Sequence, residues 1–281
     1  MMKIIFPETL EALWQARQEY PDASVLAGGT DLFVNLRSKR IQPAVLIGLE
    51  RLKELNFITT DGDRLVVGAA VCLEELRNHQ ALARLQVLRE ALDSFASPPI
   101  RHSATVGGNL CTASPAGDCL PPLYVLNATV TLARAAGQRE LVIDDFIVGP
   151  GQTALRPGEI VTAVTIPLPP YDALTSYSKV GKRKALAIAV TSMALVAVPG
   201  RDRQLSCVRL AWGSVGPTVM VLPQIEELLT GKPLTAELLK QAADQVALAV
   251  KPIDDVRACA AYRRQLAGNL LVKSLLPYIS F

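Results

Sequence analysis

The first fifty residues alternate between short apolar runs and amphipathic stretches. Ile4 to Phe6, Val25 to Ala27 and Ala44 to Leu49 are brief apolar segments bounded by polar or turn-forming residues, the pattern of short buried strands. Between the first two, Leu10, Leu13, Trp14 and Arg17 fall at helical spacing, and a second helix follows Thr30. This order predicts a small parallel β/α unit. From Phe57 the period changes: alternating segments flank Asp61-Gly62 and end near Val67, a hairpin signature. A leucine-rich stretch through Leu73, Leu76, Leu82, Leu85, Leu88 and Leu92 predicts a helix that Pro98 and Pro99 stop.

Residues 103–122 are rich in Gly, Ser and Pro and read as a surface loop, too polar and too broken by glycine for the core. Strands follow over Thr129–Ala133, Glu140–Ile143 and Ile160–Ile166. The prolines at 167, 169 and 170 with Tyr171-Asp172 mark a linker and a boundary near residue 172. Beyond it, Ala187–Val198 and Leu205–Trp212 read as antiparallel strands about Pro199-Gly200. Helices are then expected from Gln224, from Thr235 as an N-cap, and from Asp255 to the C-terminus. The expected division is 1–55, 56–172 and 173–281.

Composition narrows the class. A chain of 281 residues exceeds one average domain. Half its residues are apolar but only 5% are aromatic, which suits a mixed α and β enzyme subunit. The net charge of +3 is scattered rather than gathered into a stripe, so no nucleic-acid partner is expected. Charge and proline arrive too early, within Met1 to Pro7, for a secretory signal, and no apolar run reaches membrane-spanning length; the expected location is the cytoplasm, with no membrane span. The cysteines at 72, 111, 119, 207 and 259 form no CxxC pair, so no metal site is expected. His79 and His102 have polar neighbours, and neither is placed as a general base. No catalytic side chain is assigned, which fits a protein whose chemistry comes from a cofactor.

Two glycine segments carry the chemistry. Leu26-Ala27-Gly28-Gly29-Thr30-Asp31-Leu32 leaves an apolar strand and enters a helix. Glycines there allow positive φ and close backbone approach, and the helix start adds N–H donors suited to phosphate. A tight turn capped by Thr30 or Asp31 is the other reading. The second segment, Ala104 to Asp118, holds Gly107-Gly108, small hydroxyl residues and a terminal carboxylate. A loop this long and this poor in apolar area points to a ligand; an irregular connection that merely turns twice is the other reading. Neither segment fits the dinucleotide fingerprint or a Walker A loop. Two separate loops suit an extended ligand whose diphosphate is held from both sides, the shape of FAD.

In the order and spacing of both loops, and in Ala261-Tyr262-Arg263-Arg264-Gln265-Leu266-Ala267, the chain resembles the FAD-binding or medium subunits of the molybdenum hydroxylases, the xanthine dehydrogenase and carbon monoxide dehydrogenase type. The resemblance implies an α+β fold: a two-subdomain FAD-binding fold of the vanillyl-alcohol-oxidase-like type, followed by a C-terminal domain of antiparallel sheet and helices. It implies that Leu26, Ala27, Gly28, Gly29, Thr30, Asp31 and Leu32 wrap the diphosphate, with Ala104, Thr105, Gly108, Asn109 and Cys111 lining it from the other side. Gly117 and Asp118 complete the second loop, Asp118 accepting from a ribose or ribityl hydroxyl. Phe95 falls near the isoalloxazine ring, although a core phenylalanine is also a reading. Val161 and Lys179 flank the flavin, with a solvated strand-edge lysine as the alternative for Lys179.

Some members hold an additional [4Fe–4S] cluster in a cysteine-bearing insertion; that insertion is missing here, and no cluster is expected. Full-length eukaryotic members fuse three modules, whereas this chain, ending at Phe281, carries the flavin portion. The implied partners are a large molybdenum-cofactor subunit and a small [2Fe–2S] subunit, in a dimer of heterotrimers. The implied function is electron transfer from the partner's iron–sulfur clusters through FAD to an external acceptor. An independent flavin oxidase and an assembly subunit with a relic flavin pocket are the rivals.

Overall fold

The short apolar runs near the N-terminus pair as their pattern predicts. In the computed structural model, which describes residues 2–202 and 204–279, β1 (Lys3–Ile5), β2 (Ser24–Leu26) and β3 (Val45–Gly48) form a parallel sheet in the order β1-β3-β2. Helix α1 (Leu10–Glu19) connects the first two; Thr9 caps it by accepting from Ala12 N at 3.1 Å. The apolar face of α1 buries Leu13 and Ala16 with Ile47, Leu49, Leu52 and Leu55. Helix α2 (Leu32–Arg37) follows β2.

The chain divides into two compact units. The first comprises residues up to His79, Ser97–Ala113 and Ala128–Pro167; the second comprises Gln80–Ala96, Ser114–Asn127 and the chain from Leu168 onward. Besides the parallel sheet, the first unit holds an antiparallel sheet in the order β4-β5-β10-β6-β7. Its strands are β4 (Ile58–Asp61), β5 (Arg64–Gly68), β6 (Thr129–Arg134), β7 (Gly137–Val142) and the central β10 (Ile160–Pro167). The Asp61-Gly62 hairpin forms as predicted. Where β10 pairs with β6 the register shifts between Val161 and Ala163. A minor hairpin, β8 (Ile147–Gly149) with β9 (Gln152–Thr153), completes the strands of this unit.

The second unit is a four-stranded antiparallel sheet, β11 (Leu174–Val180), β12 (Thr191–Pro199), β13 (Leu205–Gly213) and β14 (Met220–Val221), in sequential order. Alternate residues of β12 and β13, among them Met193, Leu195, Leu210 and Trp212, join a core with Ile225, Leu239, Val246 and Leu271 from the C-terminal helices. The predicted N-cap Thr235 accepts from Leu238 N at 3.1 Å. The Arg263 guanidinium, buried, donates to Val190 O at 2.7 Å, Ser214 O at 3.0 Å and Asp255 Oδ1 at 2.7 Å. One side chain of the last helix, Ala260–Leu275, thus ties three separate turns together.

Several expectations are corrected. The leucine-rich stretch is three elements, α3 (Leu73–Asn78), a 3-10 turn over Gln80–Arg84 and α4 (Gln86–Ser94), because His79 is extended (φ −72, ψ 136). Its leucines are nonetheless buried. Pro98 and Pro99 do not end that helix, which stops at Ser94; they open α5 (Pro98–Ser103) from positions N1 and N2, where a missing N–H costs nothing. Residues 103–122 are not a surface loop. They contain α6 (Val106–Thr112) and the start of α7 (Leu120–Val125), with Thr105, Val106, Leu110 and Asp118 buried. Strand β11 lay unread behind the proline-rich stretch. The strand expected from Ala187 begins at Thr191, and the helix expected from Asp255 begins at Ala260, since Asp255 Oδ1 accepts from Arg257 N and Ala258 N in a turn of its own.

Candidate functional site

The first glycine segment is the exit of β2, an edge strand of its sheet. Gly29 has φ +72, and a Cβ on Gly28 would lie 1.7 Å from Ser103 O. Gly28 is therefore fixed by close approach to the backbone that leads into the second glycine segment. Among the described residues, the N–H groups from Ala27 to Leu32 have no acceptor. Consecutive unpaired N–H groups around a left-handed residue form a concavity suited to an anion. Asp31 stands at the N-cap of α2 without capping it; its Oδ2 accepts from Thr112 Oγ1 at 2.5 Å.

The second segment is built differently. Thr105 caps α6 by accepting from Gly108 N at 3.1 Å. Val106 N donates to Val71 O, Gly107 N to Ala69 O, and Asn109 N to Thr105 O, at 2.9–3.0 Å. The donors expected to face a ligand are spent within the chain. Gly107 is required by packing, because a Cβ there would sit 2.7 Å from Ala69 Cβ. What this segment leaves open is a side chain: among the described residues, Asn109 Oδ1 is buried with no hydrogen-bond partner, an arrangement that buried amides rarely tolerate. Cys111 is exposed, and Val161 is buried at the β10 irregularity.

In the second unit, Gly117 and Asp118 precede α7. Asp118 is buried; its Oδ2 accepts from Lys179 Nζ at 2.6 Å and its Oδ1 from Tyr177 OH at 3.0 Å. Lys179 Nζ also donates to Ser94 O at 3.1 Å, one residue before the half-buried Phe95. Lys179 is thus not a solvated strand-edge lysine: its side chain is 9% exposed. Burial pushes the Asp118 carboxyl up, against the opposing pull of Lys179 and Tyr177, and burial with the nearby Asp118 charge pushes the Tyr177 phenol well above its ordinary value. Strand β11 is an edge, and its Tyr177 N–H is satisfied by Glu90 Oε2 at 2.7 Å.

Of the residues singled out from sequence, the structure brings Gly28 against Ser103 and Ala104, sets Asp31 on α6 through Thr112, and joins Asp118 to Lys179. Tyr177 and Thr112 were missed. Tyr177 and Lys179 share one face of β11, but Ser176 and Ser178 leave the strand without an apolar–polar alternation that would have singled it out. Among the described residues no group of His, Cys, Asp or Glu could hold a metal ion, and no helix is long and apolar enough to cross a membrane. A row of N–H groups without acceptors among the described residues, with an unpaired amide oxygen in the same unit, suits a ligand that carries phosphate and hydrogen-bonding groups.

Residues 1–169 match the model of the FAD-binding domain in molybdopterin dehydrogenase, and residues 176–278 that of the CO dehydrogenase flavoprotein C-terminal domain. The chain is 31% identical to the nicotinate dehydrogenase FAD-subunit of Eubacterium barkeri, over 95% of this chain and 92% of that one. It is likewise 31% identical to the glyceraldehyde dehydrogenase medium chain of Sulfolobus acidocaldarius, over 89% and 88%. Among solved structures, the carbon monoxide dehydrogenase of Hydrogenophaga pseudoflava superimposes with a TM-score of 0.94 at 26% identity, covering 99% of this chain and 97% of that chain.

Proposed function

Because the chain belongs to the family of FAD-binding subunits of the molybdenum hydroxylases, we propose that it holds one FAD chiefly on the backbone of the Gly28-Gly29 loop. The observation that carries this reading is the row of N–H groups from Ala27 to Leu32 without an acceptor among the described residues. Asn109 Oδ1, buried and unpaired among the described residues, supports it. In the first unit the backbone of Leu26, Ala27, Gly28, Gly29, Thr30, Asp31 and Leu32, together with Ala104, Thr105, Gly108, Asn109, Cys111 and Val161, serves the cofactor; in the second, Phe95, Gly117, Asp118 and Lys179 do. Although both Asp118 oxygens have partners in the chain, a carboxylate offers about four acceptor sites, so a ligand hydroxyl can still donate to it.

Bound FAD supplies the redox chemistry that these side chains lack, between the iron–sulfur clusters of a partner and an external acceptor. The chain's own part is to bind and orient the cofactor. Its fold is of the vanillyl-alcohol-oxidase-like type, divided at about residues 55 and 172. Its partners are a large molybdenum-cofactor subunit and a small [2Fe–2S] subunit, paired as a dimer of heterotrimers in the cytoplasm. Co-purification with those subunits tests the reading: the complex contains one FAD per copy of this chain, and the flavin absorbance bleaches when the large subunit receives its substrate. A complex that turns over with the flavin absent or unchanged would refute it.

A further inference from the structure

Asp31 occupies the N-cap of α2, where a carboxylate ordinarily accepts from the N–H two or three residues on. It makes no such bond, and among the described residues the N–H of Val34 has no acceptor. The carboxylate is turned instead to the last residue of α6, where Thr112 Oγ1 donates to Asp31 Oδ2 across 81 positions of sequence. The Thr112 hydroxyl is itself held on its helix, 3.0 Å from Gly108 O.

We propose that Thr112 is a positioning residue for the cofactor loop: by engaging Asp31 it keeps a negative charge off the N–H groups that an anionic ligand needs. This inference rests on the FAD reading above. An aspartate next to a row of free N–H groups is their natural intramolecular acceptor. A carboxylate bonded there would both occupy the donors and repel a diphosphate. Tying that carboxylate to the end of another helix leaves the donors open while the loop stays anchored. The hydroxyl, rather than the volume, of residue 112 is what the role requires.

The test uses the full chain stripped of flavin, titrated with FAD while the flavin fluorescence is followed, with circular dichroism to confirm folding. Thr112→Val binds FAD about tenfold more weakly, the size of one lost charge-assisted hydrogen bond, whereas Thr112→Ser stays within about twofold of the wild type. Adding Asp31→Ala to Thr112→Val restores most of the lost affinity, because the competing charge is gone; a merely structural role for Thr112 gives no such rescue. Wild-type affinity in Thr112→Val, or a double variant no tighter than Thr112→Val, overturns the proposal. A wild-type chain that binds no FAD overturns the cofactor reading and this inference with it.

Discussion

Gly28-Gly29 and Gly107-Gly108 lie in the same unit, and both lead into or through a short helix, yet their backbones are used in opposite ways. Around the first pair the N–H groups are left without acceptors among the described residues; around the second they are consumed by Ala69, Val71 and Thr105. Gly28 and Gly107 are nevertheless glycine for the same immediate reason, since a Cβ at either would strike the chain itself. A glycine pair in a sequence therefore marks close approach. It does not say whether the group approached is a ligand or another part of the protein, and only the hydrogen-bond census separates the two.

The largest effect should come from Gly28→Val. Its Cβ would lie 1.7 Å from a backbone carbonyl oxygen, which no side-chain rotation relieves, so the variant loses about 4–5 kcal/mol in urea unfolding and retains no FAD. A stable, yellow Gly28→Val protein would break the comparison at its first term. Lys179→Met asks of a side chain whether its charge is spent within the chain. Removing the lysine leaves Asp118 buried without its ion-pair partner, and breaking such a pair costs about 3 kcal/mol. Unfolding of the apo chain measures this, and an unchanged midpoint would mean that Asp118 is not compensated by Lys179. The smallest of the three is Gly107→Ala, which overpacks against Ala69 by about 1–2 kcal/mol and leaves FAD affinity within a few-fold. Loss of flavin without loss of stability in this variant would return Gly107 to the ligand's side of the comparison.

What could be read from the sequence were elements whose signal is local. Thr235 announces its helix, Asp61-Gly62 its hairpin, and the runs at Ile4, Val25 and Ala44 their parallel sheet, because cap, turn and period each involve residues a few positions apart. The stretch from Ser103 to Pro122 was misread because its burial depends on distant partners. Thr105 and Asp118 are buried polar residues, and the groups that satisfy Asp118 are at 177 and 179. Strand β11 was missed for a related reason: its polar residues Ser176, Ser178 and Lys179 hide the alternation, and its edge N–H at Tyr177 is satisfied by Glu90, 87 positions earlier. The glycine segments stand out in the sequence, but the difference between them is a matter of which N–H meets which carbonyl.

Backbone amide exchange with and without FAD tests the central claim most directly, because it reads each N–H group individually. The amides of Ala27 to Leu32 should exchange rapidly in the apo chain and become protected when FAD binds, while those of Val106 to Asn109 are protected in both states. Protection gained at Val106 to Asn109, with Ala27 to Leu32 unchanged, would contradict the account.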